Sequence, residues 1–224
     1  NQMGLDLSRD EVCEYVINAV SDILANANIE YVKWDMNRQL TDMPRLGYNH
    51  EYTLGYYKIM SAITEKFPNI LFEGCSAGGG RFDAGVLAYM PQIWTSDNSD
   101  AIARLKMQYS TSMCYPVYSI SSHVTASPNH QCGRDTSLKT RADVAYCGTF
   151  GYELDVTKMS DEEFEEIKAQ IKFEKRIQDL MCNGDLYRLI NPYETNYCSW
   201  EVVSKDKKHI FVMACKVLAV AQTK

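Results

Sequence analysis

A chain of 224 residues, 46% hydrophobic and 23% charged, can bury a real core, which excludes intrinsic disorder. Its length sits at the upper edge of one domain and is short for two. With 23 Lys and Arg against 29 Asp and Glu the net charge is −6, the wrong sign for a nucleic-acid partner. No apolar run approaches the ~20 residues that a membrane span needs. The eight cysteines form no C-x-x-C pair and no Cys/His cluster at zinc-finger spacing. They read as free thiols of a reducing compartment, and the expectation is a cytoplasmic protein. The chain opens on Asn1, with no initiator Met and no signal-like stretch, so processing or a cut from something longer is expected.

Strand and helix signals alternate. Ser8 followed by Glu11 is a capping-box signature, and Val12, Val16, Ile17, Val20, Ile23 and Leu24 recur behind it at helical spacing. Residues 30–34 read as a short strand. A helix is predicted from about Tyr52 to Lys66, with Leu54, Tyr57, Ile59 and Ile63 on its buried side. Pro68 ends it, and Ile70 to Glu73 is a strand running into the glycine-rich stretch Gly74 to Gly80. Strands are predicted at Gln92–Ser96, Pro116–Ile120 and near Phe150, with helices over Asp100–Tyr109 and Ser137–Ala145. The clearest helix is capped by Ser160 with Glu163 completing the box, and Phe164, Ile167, Ile171, Ile177 and Leu180 line one face. Its many charges read as a solvated outer face. After Gly184 three strands follow without a helix, a change from βα repetition to antiparallel pairing. A domain boundary is therefore expected between residues 1–184 and 185–224.

Strand–helix alternation over residues 1–183 means a parallel sheet, open or closed. Five strands behind a leading helix read as the back portion of a (β/α)8 barrel, which needs eight. In such folds chemistry gathers at the C-terminal ends of strands. Those ends carry Lys33-Trp34-Asp35, Glu73-Gly74-Cys75, Ser96-Asp97, Ser121-Ser122-His123 and Glu153 to Asp155. Asp35 and Asp97 each follow a Trp-containing strand, and in a barrel both would face one cavity. Paired carboxylates can split attack on an anomeric carbon and protonation of its leaving oxygen. The competing reading is that an Asp at a strand end caps the next helix, which suits Asp100 better than Asp97. Residue types and spacing leave both readings standing. Lys33, two residues before Asp35, would share its face, donate to hydroxyls and hold Asp35 ionised. Gly78 to Gly80 fit no phosphate-binding order and are better explained by close approach of a compact ligand. Cys75 without a placed His base is a weak nucleophile, and His123 and His130 lack partners at metal-ligand spacing.

Three segments then carry a resemblance: residues 31–38 (YVKWDMNR), 72–83 (FEGCSAGGGRFD) and 94–101 (WTSDNSDA). They resemble the signatures of the α-galactosidases of glycoside hydrolase family 36, as do residues 128–131 (PNHQ) and 148–155 (GTFGYELD). The resemblance runs in order over nearly the whole chain. It implies a TIM barrel, of which this chain would hold roughly strands 4–8 followed by the start of a β-sandwich domain. It implies retaining hydrolysis by double displacement on terminal α-galactosides of the melibiose or raffinose type. Asp35 would be the nucleophile and Asp97 the acid/base, their carboxyl groups about 5–5.5 Å apart. Lys33, Asn37, Cys75 and Gly78 would bind the sugar, making Cys75 a hydroxyl contact. Neither metal nor organic cofactor is implied. The partner is an oligosaccharide, with neither nucleic acid nor membrane involved, and a homo-oligomer is expected of the full-length parent.

The sequence departs from the family pattern in places. Ala77 replaces a common glycine, the segment from Gln39 to His50 looks short, and barrel strands 1–3 with the N-terminal sandwich are missing. Three alternatives follow: a raffinose or stachyose synthase, an α-N-acetylgalactosaminidase, and an inactive fragment with an unpaired barrel edge.

Overall fold

A computed structural model describes residues 4–41 and 43–219, so Asn1, read above as a cut, lies outside the described residues. The chain divides into two compact units between Trp94 and Thr95.

The first unit begins with α1 (Asp10–Asn26), followed by β1 (Tyr31–Trp34), α2 (Tyr48–Lys66), β2 (Leu71–Gly74) and β3 (Gln92–Ile93). The three strands form one parallel sheet in the order β1-β2-β3. Parallel strands need helical crossovers, and α2 supplies the one between β1 and β2. Its buried stripe is Tyr48, Tyr52, Tyr56, Ile59, Met60 and Ile63, spaced three and four apart. Leu54, predicted inside, is 52% exposed, because two residues before Tyr56 means roughly 200° around the helix. Ile23 of α1 is likewise exposed.

The cap expected on α1 does not form. Ser8 Oγ donates to Asp6 at 2.6 Å, Glu11 pairs with Arg9, and Arg9 stands at the N-cap without a side-chain capping bond. Helix α2 starts at Tyr48, four residues earlier than predicted, behind Gly47 at φ 80°.

The second unit contains α3 (Ala101–Thr111), β4 (Ser121–Thr125), α4 (Leu138–Ala145), β5 (Thr149–Glu153) and α5 (Asp161–Asn183). Strands β4 and β5 pair in parallel. The strand predicted at residues 116–120 is instead a 3-10 turn over Val117–Ser119. Ser119 Oγ and the Ser119 N–H both donate to Pro116 O, so local bonds beat the β-propensity of the run. The strand follows it, which puts Ser121, Ser122 and His123 inside β4 rather than at its end. The capping box of Ser160 and Glu163 on α5 is present with both bonds. Ile177 is buried as expected, but Ile171, expected on the same apolar face, is 38% exposed, and Gln170 and Met181 are buried beside it.

The same unit ends in β6 (Asp185–Ile190), β7 (Tyr197–Val203) and β8 (Ile210–Lys216), an antiparallel sheet. Alternation along these strands sorts two faces. Cys198, Trp200, Val202 and Met213 are buried, while Tyr187, Leu189, Tyr197, Ile210 and Val212 are exposed. Trp200 is fully buried, stacks on Tyr109 of α3 at 6.3 Å between ring centroids, and donates its indole N–H to Cys147 Sγ at 2.6 Å. It therefore holds the antiparallel sheet to the helices of the unit. Trp200→Ala is expected to cost about 3–5 kcal/mol by loss of burial and the cavity it leaves. Urea unfolding measures this, and a loss below about 1 kcal/mol would contradict its place in the core.

Candidate active site

The site begins with sheet register. Lys33 pairs with Glu73 and Glu73 with Gln92 across the three strands of the first unit. Side chains alternate, so Tyr31, Lys33 and Asp35 leave β1 on one face, Glu73 and Cys75 leave β2 on the same face, and Gln92 and Trp94 do so from β3. The pairing continues past the strand ends through Cys75 N–H to Trp34 O (2.9 Å), Met36 N–H to Cys75 O (3.2 Å) and Trp94 N–H to Gly74 O (2.8 Å).

Asp35 stands exposed at the end of β1. Partial burial pushes its carboxyl up, but the Cys75 thiol, the Asn37 amide, the Met36 N–H and the charge of Lys33 outweigh this and hold it below the ordinary carboxylate range. Asn37 Nδ2 donates to Asp35 Oδ2 at 3.0 Å, and Asn37 Oδ1 accepts from the Ala77 N–H at 3.2 Å. Asn37 thus ties the carboxylate to the glycine-rich loop, and Ser76 Oγ adds a second tie to Met36 O at 2.9 Å.

The loop itself closes tightly. The Ser76 N–H donates to Gly78 O at 2.8 Å, and the Gly80 N–H donates to Ser76 O at 3.2 Å. Ala77 at φ 46° and Gly78 at φ 83° take the left-handed conformation in succession. Ala77, read as a small departure from the family pattern, therefore occupies a position that favours glycine, at a cost of roughly 1 kcal/mol.

Cys75 is buried, and its thiol is pushed up to about 11 by burial and by the neighbouring Asp35, although the Gly78 N–H acts the other way. At neutral pH it is a donor to Asp35, not a thiolate nucleophile. Lys33 Nζ lies 4.6 Å from the Trp94 ring centroid and 3.7 Å from Glu73 Oε1.

Sequence reasoning assigned no role to Arg81 or Glu73. Arg81 donates to Cys75 O (2.7 Å) and Trp34 O (3.4 Å) and stacks on Tyr56 at 4.6 Å, joining both strand ends. The available signal was a charged residue directly behind the apolar run Ile70-Leu71-Phe72, which marks Glu73. Beside Asn37, Ser76, Ala77 and Arg81 lies a cavity of about 480 Å³.

In the second unit Asp97 is exposed on the loop before α3. Its loop is built from buried polar groups. Arg104 donates to Thr95 Oγ1 and to Ser96 O, both at 2.8 Å. Ser99 is gripped from three sides: Asn129 Nδ2 reaches its Oγ at 3.1 Å, Thr125 Oγ1 reaches its carbonyl at 3.1 Å, and its N–H donates to Gln131 Oε1 at 3.3 Å. Asp100 caps α3 through the Ala103 N–H at 2.9 Å and pairs with Arg134 at 3.1 Å. The helix-cap reading thus belongs to Asp100. His123 lies within β4, 3.6 Å from Glu153, and His130 is exposed. Among the described residues no group of three or more His, Cys, Asp or Glu is placed to hold a metal ion. None of the described helices is long and apolar enough to cross a membrane.

A melibiase family model matches residues 1–184. The chain belongs to the melibiase family. Among curated melibiase relatives it is 50% identical to the α-galactosidase AgaA of Geobacillus stearothermophilus over 99% of its own length. It is 46% identical to the bifunctional α-galactosidase/sucrose kinase AgaSK of Mediterraneibacter gnavus, again over 99%. The chain spans 31% of AgaA and 24% of AgaSK. The crystal structure of AgaA, a GH36 α-galactosidase, matches all of this chain and 32% of its own, with a TM-score of 0.96 at 50% identity. Variants of AgaA have been solved in complex with raffinose and with stachyose.

The surroundings of Cys75 make a chemical prediction. Iodoacetamide at pH 7.5 should label the exposed Cys114 and Cys132 roughly two orders of magnitude faster than Cys75, whose thiolate is scarce and buried. Peptide mass spectrometry follows the time course, and early labelling of Cys75 would contradict the thiol-donor assignment.

Proposed function

We propose that the protein carrying this chain is a retaining α-galactosidase that hydrolyses terminal α-galactosides of the raffinose and melibiose type. The observation that carries this reading is the ionised Asp35 carboxylate at a parallel strand end, held by Cys75, Asn37 and Lys33. Family membership and the raffinose and stachyose complexes of AgaA variants support it. On this reading residues 1–184 are roughly barrel strands 4–8, and residues 185–224 begin a β-sandwich domain. The family match over residues 1–184 supports that boundary. The free cysteines suit a cytoplasmic enzyme.

In the first step Asp35 attacks the anomeric carbon while Asp97 gives its proton to the departing glycosidic oxygen, leaving a galactosyl ester on Asp35. In the second, Asp97 takes a proton from water as that water attacks the same carbon and releases Asp35. An attacking carboxylate must be ionised, which is the state its neighbours favour. Lys33, Asn37, Cys75 and Gly78 are the proposed sugar contacts. Lys33 supplies a charged donor, Cys75 a protonated thiol, and Gly78 a backbone without a side chain in the way. No cofactor takes part in either step.

In the intact protein, Asp35→Ala should abolish turnover of both raffinose and p-nitrophenyl α-galactoside. Asp97→Ala should spare the nitrophenyl substrate, whose leaving group needs no proton, far more than raffinose. Equal losses on both substrates would remove Asp97 from the acid/base role. Removing the thiol in Cys75→Ala deletes a donor that lowers Asp35, so the carboxyl rises toward its ordinary range. The acid limb of the kcat/KM profile should therefore move to higher pH. A limb that stays or moves to lower pH would contradict the Cys75–Asp35 interaction.

A further inference from the structure

One row below Asp35 lies a charge that the proposed reaction does not use. Glu73 is fully buried in the middle of a parallel strand. A carboxylate in that place is costly unless it is paired and hydrogen-bonded, and a well-packed apolar residue would serve stability as well or better. The Tyr31 hydroxyl donates to Oε2, and Gln92 Nε2 donates to the same oxygen at 2.8 Å. Both bonds fall on one oxygen. The other, Oε1, accepts no hydrogen bond among the described residues and lies 3.7 Å from Lys33 Nζ. Lys33 is 36% exposed, a long side chain with much rotamer freedom to lose. Its ammonium rests on the Trp94 ring on one side and on Glu73 on another, and its charge acts on Asp35. The three groups alternate in sign from the sheet interior to the rim.

We propose that Glu73 is a positioning residue, which anchors the Lys33 ammonium where it meets the sugar beside Asp35. This inference rests on the reading of Lys33 as a sugar-binding residue. The competing role is a structural stitch between β1 and β3 through Tyr31 and Gln92. Glu73→Gln separates the two, because its amide oxygen still accepts both of those bonds while the charge facing Lys33 is gone.

In the intact protein with p-nitrophenyl α-galactoside, Glu73→Gln should lower kcat/KM by about tenfold, the weight of the charged hydrogen bond that a displaced Lys33 no longer gives the sugar, and the loss should fall on KM. Lys33→Met should lose at least as much, and the double variant should be no worse than Lys33→Met alone. A crystal structure of Glu73→Gln should show Lys33 Nζ displaced from the Trp94 ring. The inference is overturned if KM stays within about twofold, if the two losses multiply, or if Lys33 does not move. Absence of turnover in the wild type would defeat the proposed function instead, and the position of Lys33 in the variant crystal would still decide the case of Glu73. Should Glu73→Gln fail to fold, Tyr31→Phe keeps the charge facing Lys33 and loosens only the stitch, so KM should stay within about twofold. A rise of about tenfold in KM in that variant overturns the inference.

Discussion

The parallel register that sets Lys33 opposite Glu73 and Glu73 opposite Gln92 is the constraint on which the first unit's site rests. Alternation of side chains along each strand turns that register into two levels on one face. The inner level holds a cation, a carboxylate and an amide. The outer level holds Asp35, Cys75 and Trp94, where the strands end and backbone pairing gives way to loops. A slip of one residue would send Lys33 and Asp35 to the opposite face and leave Glu73 buried without its cation.

The chain handles three carboxylates by three different balances. Asp35 stays at the rim, where donors from two loops and one nearby charge outweigh partial desolvation. Glu73 is wholly enclosed and gains two hydrogen bonds on one oxygen and an ion pair on the other. Asp100 is nearly enclosed as well, but spends its oxygens on a helix N-terminus and on Arg134. Burial alone therefore does not set a carboxylate's role. The partners do: the Ala103 N–H makes a cap of Asp100, while a thiol, an amide and the Met36 N–H hold Asp35 at a strand end.

Legibility from the sequence followed the range of the deciding interaction. The box of Ser160 and Glu163 was readable because both partners lie within one turn of α5. The same pattern at Ser8 and Glu11 failed because Asp6 and Arg9 offered closer partners for the two side chains. Residues 116–120 carry strand-forming types, yet a turn anchored on Pro116 O displaced the strand by several residues. The stripe on α2 was misjudged at Leu54, since only the docked face shows which tyrosines turn inward.

By itself the sequence determined the βα alternation, the change to antiparallel strands after Gly184, and the three motif segments that carry the family resemblance. Those depend on local periodicity, on caps and on residue order, all of which are written along the chain. Only the tertiary structure decided that Asn37 and Cys75 hold Asp35 ionised, that Arg81 joins two strand ends, and that Glu73 faces Lys33. Cys75, Arg81 and Glu73 reach those partners through strand pairing or loop closure, and lateral register is a property of packing that no single segment encodes.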